Sequence, residues 1–374
     1  MDKATMARRH EAVLWLQLLA GTFTSRRDAK MLLERWCMRE QHLLSDFAAA
    51  PAAEAAEVTG LSTEQVHQAQ QLLAQARESQ ARMGAFAEAN IELIIRTDAA
   101  YPEELAHNLP EAELPYLLFA IGELDHLAET GVAIGGAHDA AAADAFDLHQ
   151  MAAGLAALPV PMLGGFERGV ERELLLRVPE VGGRITVMLP LGLDHAAPIL
   201  ALLRPSLEAG RALVLSPFLP EQVYSERGGQ ARLSLLSAMA GAMLQIEPDA
   251  SVDDWPGARQ LLARGEQVAV VSRSDSAIVR GWEAAGARIN ENCSSALTTL
   301  SAGWSLDAEA GAEPHALPGV EPIVFHDADE AIDVLGRSGR VPPALARRLR
   351  ESGMFGYQDV EDVDEPYQDP EPDV

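Results

Sequence analysis

The sequence holds only two cysteines among its 374 residues, Cys37 and Cys293, and neither has a neighbouring metal-ligating partner. Such a pair predicts neither a disulfide framework nor a CxxC metal site, so we expect two plain thiols. Long apolar runs are also missing, since no run reaches the roughly 18 residues of a membrane span. The polar segment after Met1 differs from a signal peptide. We therefore expect a cytoplasmic protein with no membrane partner.

Basic residues are in the minority, with 29 Lys and Arg against 56 Asp and Glu and a net charge of -27. This balance argues against a polyphosphate partner, because nucleic-acid binding depends on basic surface. The acidity lies mainly in the flanks: residues 131–290 carry 13 basic and 18 acidic side chains, whereas residues 291–374 carry five and 18. Every basic residue of 131–290 is Arg, which suits bidentate phosphate contact but also follows from nucleotide bias in a genome.

Known catalytic motifs are absent too. The sequence has no GxSxG, HExxH or Walker loop, and its histidines lack metal-ligand spacing. Glu167 and Glu171 form a carboxylate pair around a turn, but such a pair is more typical of a solvated surface than of an acid–base site. The sequence therefore predicts a binding protein rather than an enzyme, with no cofactor and no metal.

The pattern that is present is an alternation of strands and helices. Gly182–Asp194 is an apolar run with a glycine pair before it and Pro-Leu-Gly-Leu-Asp after it, typical of a buried parallel strand that opens onto a ligand crevice. The strands predicted around it are Gly131–Ile134, Met162–Leu163, Arg184–Leu189, Ala212–Leu215, Ala242–Ile246, Gln267–Val271 and Arg288-Ile289. The helices between them are Ala140–Ala156, Val170–Val178, Ala197–Ala209, Gln230–Ala240, Trp255–Arg264 and Ala277–Ala285. This order predicts an α/β fold with a Rossmann-like, doubly wound, mostly parallel sheet.

The segments on either side of this region have different sequence patterns. Residues 1–90 show helical periodicity and a capping box at Ser62–Gln65, and two further strands are predicted at Ile91–Ile95 and Pro115–Gly122. We predict a helical module at 1–90, a sheet domain at 91–290 and a small C-terminal extension at 291–356 that includes a helix from about Asp327 to Leu335. The tail, 357–374, has eight acidic residues and no basic one, so we expect it to be disordered.

Two glycine turns are candidates for an anion site, Gly135-Gly136 with His138 after it and Gly164-Gly165 with Arg168 after it. Glycines at strand ends let backbone N–H groups and a helix N-terminus approach a phosphate. Neither turn has the full GxGxxG spacing, so tight packing explains Gly135-Gly136 as well as an anion does, and His138 fits a surface histidine. Because the turns follow neighbouring strands, they form a candidate shared crevice.

Two arginines, Arg227 and Arg232, bracket Gly228-Gly229 at a predicted helix start. Beside such a crevice they would hold a phosphate; the alternative is that they are solvated loop and helix ends.

Several different short motifs follow one another along residues 91–290. The motifs are Tyr101-Pro102-Glu103-Glu104-Leu105, Val132-Ala133-Ile134 leading to Gly136, Gly164-Gly165 with Gly169, Gly182–Asp194, Leu213-Val214-Leu215-Ser216, Arg232 before Leu235–Ala240, Gln245-Ile246-Glu247, and Gly265-Glu266-Gln267-Val268. In order and spacing this region resembles the DNA-processing protein A family (DprA, also called Smf). The resemblance implies an extended Rossmann-like fold and a non-catalytic, usually homodimeric cytoplasmic protein. It also implies binding of single-stranded DNA and help in loading the RecA recombinase during natural transformation.

The sequence departs from the family pattern where DNA is expected to bind. Ala137 and His138 replace the serine and arginine of the family's GSR turn, and Gly164 replaces the first serine of SGxA. Glu171 replaces the aspartate of GID. Only the first arginine of RNR survives, as Arg232, while the family's SGS aligns with Val252-Asp253-Asp254, whose carboxylates disfavour a phosphate.

Two hypotheses therefore stay open. The first is a divergent single-stranded-DNA-binding mediator of recombination. Its candidate site residues are Gly135, Gly136, His138, Gly164, Gly165, Arg168, Arg184, Arg227 and Arg232. The second is a family member that has lost DNA binding and acts as a scaffold or as a sensor of a small, nucleotide-like ligand, with partners contacted through its acidic flanks. A nucleotide-cleaving relative would need a PGGxGT-type turn, which the sequence lacks.

Overall fold

A computed structural model describes residues 3–301 except 22, 24, 76, 139–146, 249–255, 274–275 and 291. The predicted C-terminal extension beyond residue 301, its helix from about Asp327, the acidic tail and the start of the helix predicted from Ala140 lie outside the described residues. The domain boundaries drawn from the sequence remain predictions.

The first part of the chain is helical, as its periodicity predicts. The helices are α1 Lys3–Ala20, α2 Arg26–Leu32 with a π-helical continuation Leu33–Arg39, α3 Leu44–Ala49, α4 Ala52–Thr59, α5 Thr63–Ala74 and α6 Arg77–Glu88. The predicted capping box is confirmed, since the Ser62 hydroxyl accepts from the Gln65 N–H and the Gln65 side chain accepts from the Ser62 N–H. Gly60 ends α4 with a φ of 71°, a left-handed conformation that favours glycine.

A nine-stranded sheet follows and confirms the predicted α/β fold. Its strands are β1 Ile91–Ile95, β2 Leu117–Gly122, β3 Gly131–Gly136, β4 Met162–Gly164, β5 Ile185–Met188, β6 Ala212–Ser216, β7 Ala240–Ile246, β8 Gln267–Val271 and β9 Arg288–Asn290. Their spatial order is β1-β2-β6-β5-β4-β3-β7-β8-β9. The β1–β2 and β2–β6 pairs are antiparallel and all other pairs are parallel.

Helices cover both faces of the sheet. They are α7 Glu103–Asn108, α8 Leu148–Ala156, α9 Val170–Glu180, α10 Ala197–Glu208, α11 Glu226–Met239, α12 Pro256–Ala263, α13 Ala277–Ala284 and α14 Cys293–Ser301. Because successive strand residues point to opposite faces, Val132 and Ile134 join one core with α1–α6, α8–α10 and α14, and Ala133 joins the other with α7 and α11–α13. None of the helices in the described part of the chain combines the length and apolar character that a bilayer crossing requires.

The strand order reverses at β3. The chain runs from β3 through β4 and β5 to β6 on one side, and then returns to β7, which pairs with the other side of β3. In open α/β sheets, such a reversal opens a crevice beyond the carboxyl ends of the two strands. The fold thus places the candidate site at the carboxyl ends of β3, β4 and β7.

Phe119 of β2 tests the packing of the N-terminal helices on the sheet. It is fully buried, and its ring meets Phe86 of α6 edge-on at 5.6 Å between centroids. We expect Phe119→Ala to lower the free energy of unfolding by about 3–5 kcal/mol, because a large cavity opens between the layers. Urea unfolding of the full chain measures this. Leu43→Ala, at a side chain that is 53% exposed, is the control and should change the value by less than about 0.5 kcal/mol.

Candidate functional site

The turns that follow β3 and β4 are in direct contact at the carboxyl edge of the sheet. The Val170 N–H at the start of α9 donates to the Ala137 carbonyl at 3.1 Å. Gly169 has a φ of 89°, and a Cβ there would lie 2.2 Å from the same carbonyl oxygen. The structure therefore brings the two predicted glycine turns together, as the sequence suggested.

The glycines of both turns are buried against the chain itself. A Cβ on Gly136 would lie 2.5 Å from the Ile246 carbonyl oxygen of β7, and one on Gly165 would lie 2.6 Å from the guanidinium carbon of Arg232. Gly135 and Gly164 are likewise packed against Gln245 and Glu171. At Gly136 the close atom is backbone, so packing alone requires glycine there, whereas a Cβ at the other three positions would displace the ends of the Gln245, Glu171 and Arg232 side chains.

Glu171 occupies the backbone donors of the second turn. Its Oε1 accepts from the Gly165 N–H at 2.5 Å and from the Glu167 N–H at 3.3 Å. Burial is the main cause that raises the pKa of this carboxyl from 4.5 to about 7; the charge of Arg232 opposes the shift and the charge of Glu167 adds to it. A protein carboxyl group thus takes the N–H groups that a phosphate would use in an open glycine turn.

Arg232 of α11 lies beneath the same turn, and only 6% of its side chain is exposed. Its Nη1 forms an ion pair with Glu167 Oε1 at 2.5 Å and lies 3.4 Å from the Gly165 carbonyl oxygen. The Nε of Arg232 is buried and has no hydrogen-bond partner among the described residues.

The prediction of a solvated surface pair is therefore wrong for Glu171, which is buried, whereas the Glu167 side chain is 38% exposed. The solvated alternative is wrong for Arg232, which is buried. Both carboxylates lie next to this buried cation, because α11 packs under the turn between β4 and α9.

The start of α11 adds an exposed aromatic residue to this edge. Ser225 caps the helix by accepting from the Gly228 N–H, and Arg227 in the first turn is exposed. Just before the cap, Val223 is 61% and Tyr224 is 54% exposed. A Cβ on Gly229 would lie 3.3 Å from the Tyr224 hydroxyl, so the phenol lies along the first turn of the helix. Sequence reasoning missed Tyr224; the available signal was an apolar pair directly before a helix cap.

Two other predicted residues also lie at this edge. His138 follows β3 and is partly buried, whereas Arg168 is exposed at the tip of the turn after β4.

The turn after β4 is also in contact with Arg172 of α9. The guanidinium of Arg172 stacks on Phe166 and donates to the Phe166 carbonyl at 3.3 Å. Phe166 has a φ of 63°, which is unusual for a non-glycine residue. The turn after β4 is therefore held from both sides by arginines, one buried and one stacked.

Arg184, by contrast, is placed away from the candidate site. It precedes β5 and so lies at the amino edge of the sheet, opposite the carboxyl ends. Its guanidinium forms a bidentate ion pair with Glu129 at 2.5 and 2.6 Å and donates to the Pro159 carbonyl at 2.6 Å. The prediction that Arg184 is a phosphate ligand in the crevice is therefore wrong. Its side chain binds Glu129 and the Pro159 carbonyl at the opposite edge of the sheet.

A metal site finds no support in the part of the chain that the structure describes, where no group of three or more His, Cys, Asp and Glu side chains is arranged to hold an ion. Residues 252–254, which the sequence aligned with a family loop, lie outside the described residues.

A family model for DNA recombination-mediator protein A matches residues 92–297, which is more than half of the chain and includes the sheet except its first residue, Ile91. The chain belongs to the DNA recombination-mediator protein A family. No curated protein gave a significant match.

One solved structure agrees with this assignment at the level of the fold. DNA processing protein A from Streptococcus pneumoniae superposes with a TM-score of 0.50 at 18% identity, over 67% of this chain and 86% of that one. The single-stranded DNA binding mode of DNA processing protein A from Helicobacter pylori is the subject of a second structure. It matches with a TM-score of 0.46 at 16% identity, over 56% of this chain and 95% of that one.

Among the described residues, the crevice holds one buried arginine, Arg232. Its charge is balanced by the ion pair with Glu167. Arg168, in the turn after β4, and Arg227, at the start of α11, are exposed, and we refer to them as the rim of the crevice.

Glu171 gives this site a pH dependence that can be measured. Its folded pKa of about 7 lies above the ordinary value of 4.5, so folding favours the protonated form. That contribution to stability is fully present below pH 4.5 and is lost as the pH rises through 7. Glu171→Gln is neutral at every pH and keeps the acceptor oxygen. We expect its free energy of unfolding, relative to the parent, to increase by about 1–3 kcal/mol between pH 5 and pH 8.

Chemical denaturation at a series of pH values measures the difference. Glu173→Gln, on the same helix and 42% exposed, is the matched control and should show no such trend. A flat profile for Glu171→Gln would contradict a buried, pH-sensitive carboxyl under the turn.

Proposed function

We propose that this chain is a recombination mediator that binds single-stranded DNA along the carboxyl edge of its sheet and catalyses no reaction. The observation that carries the proposal is the convergence of three backbone elements at one crevice, in a chain of this family. The turns after β3 and β4 meet through the Val170–Ala137 hydrogen bond, and Arg232 of α11 reaches the second turn at the Gly165 carbonyl. In open α/β sheets, ligands usually bind in the crevice where the strand order reverses, as it does here at β3.

Phosphate groups would be bound by the exposed rim of this crevice. Arg168 and Arg227 offer guanidinium groups there, and His138 adds a third donor. Each phosphate that is neutralised releases counterions, so affinity rests on the number of such contacts and falls with salt. With few exposed cations and an acidic chain, the expected binding is weak and confined to low ionic strength.

Nucleobases would be met by the exposed aromatic residue next to the rim. Tyr224 and its neighbour Val223 present apolar surface within one helical turn of Arg227. Proteins that bind single strands without sequence preference pair a cationic path for the backbone with aromatic side chains for the bases. The start of α11 has both features in adjacent positions.

The remaining parts of the proposal come from the family. Action in the cytoplasm, contact with a RecA recombinase and assembly as a homodimer are proposed for this chain on the strength of the family resemblance alone.

A second candidate function is favoured by the filled crevice. Glu171 takes the backbone donors of the turn and Glu167 takes Arg232, so both positions suited to an anion are already occupied by the chain. In this alternative the protein no longer binds DNA and serves as a scaffold or as a sensor of a small, nucleotide-like ligand.

Fluorescence anisotropy with a labelled single-stranded oligonucleotide across a salt series separates the two functions. We expect saturable binding at low salt, with the oligonucleotide recovered at full length. Arg227→Ala should weaken binding and make the salt dependence shallower by about 0.7 in log–log slope, because one phosphate contact is lost. The matched control is Arg204→Ala, an exposed arginine on α10 outside the crevice, which should leave the slope unchanged. Absence of binding by the parent protein at low salt favours the scaffold or sensor.

Tyr224 provides an independent test of base contact. We expect Tyr224→Ala to weaken binding of oligo(dT) by about 1–3 kcal/mol, since the stacking surface is removed, whereas Tyr224→Phe keeps most of the affinity. The same titration with an abasic oligonucleotide should show little difference between the three proteins. Equal losses on the abasic strand would mean that Tyr224 acts on the fold of the helix start and not on the bases.

A further inference from the structure

The ion pair between Glu167 and Arg232 has an unequal exposure. The Arg232 side chain is 6% exposed and the Glu167 side chain 38% exposed, so the carboxylate lies on the solvent side of the guanidinium. Any anion that approaches Arg232 from the crevice therefore meets Glu167 first.

Burial makes an anionic partner for Arg232 obligatory. A guanidinium does not lose its proton in proteins, and a buried charge without a counter-charge is strongly destabilising. Glu171 is the other carboxyl group at this point, but burial raises its pKa, which reduces the negative charge it carries at neutral pH. Arg168 and Arg172, on the same turn and helix, add positive charge. Glu167 is thus the main counter-charge of Arg232.

The guanidinium also has spare donor capacity. Its Nη1 serves Glu167 and the Gly165 carbonyl, while its Nε has no partner among the described residues. A phosphate offers the same kind of acceptor oxygens as a carboxylate and binds guanidinium in the same bidentate manner. The group that holds Arg232 in this structure therefore has the chemistry of the ligand that the crevice would receive.

We propose that Glu167 is an internal competitor for the phosphate groups of single-stranded DNA, and that it limits the affinity of the crevice by occupying Arg232. This inference rests on the proposed function. A phosphate reaches Arg232 only when the Glu167 side chain turns outward into solvent, and the partial exposure of that side chain gives it the room to do so. Glu171 keeps the Gly165 and Glu167 N–H groups during the exchange, so the turn itself stays closed.

The test is a gain of function. In the oligonucleotide titration at low salt, Glu167→Gln should bind roughly 3- to 10-fold more tightly than the parent and show a steeper salt dependence by about 0.7, because one more phosphate contact forms. Glu173→Gln is the matched control. It removes the same charge from an exposed ion pair with Arg177 on α9, and it should shift affinity by less than about twofold because exposed pairs and long-range charges are screened.

A double variant assigns the gain to Arg232. Glu167→Gln combined with Arg232→Ala should lose the whole increase. Glu167→Asp, which withdraws the carboxylate by one methylene, should give a smaller gain in affinity. It replaces Glu167→Gln in the test if that variant unfolds, which a lowered denaturation midpoint would show.

Two outcomes contradict the inference and can be told apart. If the parent binds DNA but neither Glu167 variant binds more tightly than Glu173→Gln, the competitor role is wrong and the proposed function stands. When neither the parent nor the Glu167 variants bind, the proposed function itself fails and the inference fails with it.

Discussion

A buried guanidinium is the constraint on which the carboxyl edge of this protein depends. Arg232 cannot be neutralised by losing a proton, so the turn after β4 must keep a carboxylate within reach, and Glu167 supplies it at 2.5 Å. The same turn needs its N–H groups satisfied once it is covered, and Glu171 satisfies two of them. The close approach of glycine backbone to these side chains follows from that arrangement. The cation thus accounts for Glu167, and the covered turn accounts for Glu171.

This arrangement changes how an acidic member of a DNA-binding family is to be understood. The net charge of -27 opposes association with a polyanion, and the described crevice keeps its deepest arginine paired. In the function we propose, contact with DNA falls to the rim, where Arg168 and Arg227 are exposed, and to the aromatic surface of Tyr224. Stacking of bases on an aromatic ring depends little on salt. An exposed aromatic residue therefore offsets part of the repulsion between an acidic protein and the DNA phosphates.

The N-terminal helices matter for the site through the sheet. They pack on the same face as α9, the helix that carries Glu171, and they share one continuous core with it. The Phe86–Phe119 contact joins α6 to β2, and β2 in turn pairs with β6. A rigid sheet is what holds the ends of β3, β4 and β7 in register, so the geometry of the crevice is supported from a distance by this helical layer.

Local pattern determined most of the fold. The predicted strands of the sheet agree with the observed ones to within two residues at each end, because apolar periodicity and turn residues act over a few neighbouring positions. The meeting of the two glycine turns was also predictable, since parallel neighbouring strands end at the same edge. The position of Arg184 was also predictable from the sequence, because a residue at the start of a parallel strand lies at the opposite edge of the sheet from the crevice.

What only the tertiary structure decided is the pairing of charges. Glu167 and Arg232 are separated by 65 positions in the chain, and they meet because β7 returns to the side of β3 and brings α11 under the turn after β4. Sequence pattern does not encode that strand order, so the same residues were predicted to be solvated. The exposure of Tyr224 was decided in the same way, by the packing of α11. The sequence alone therefore determined the elements and the family, and the folded chain decided which of its charges remain available to a ligand.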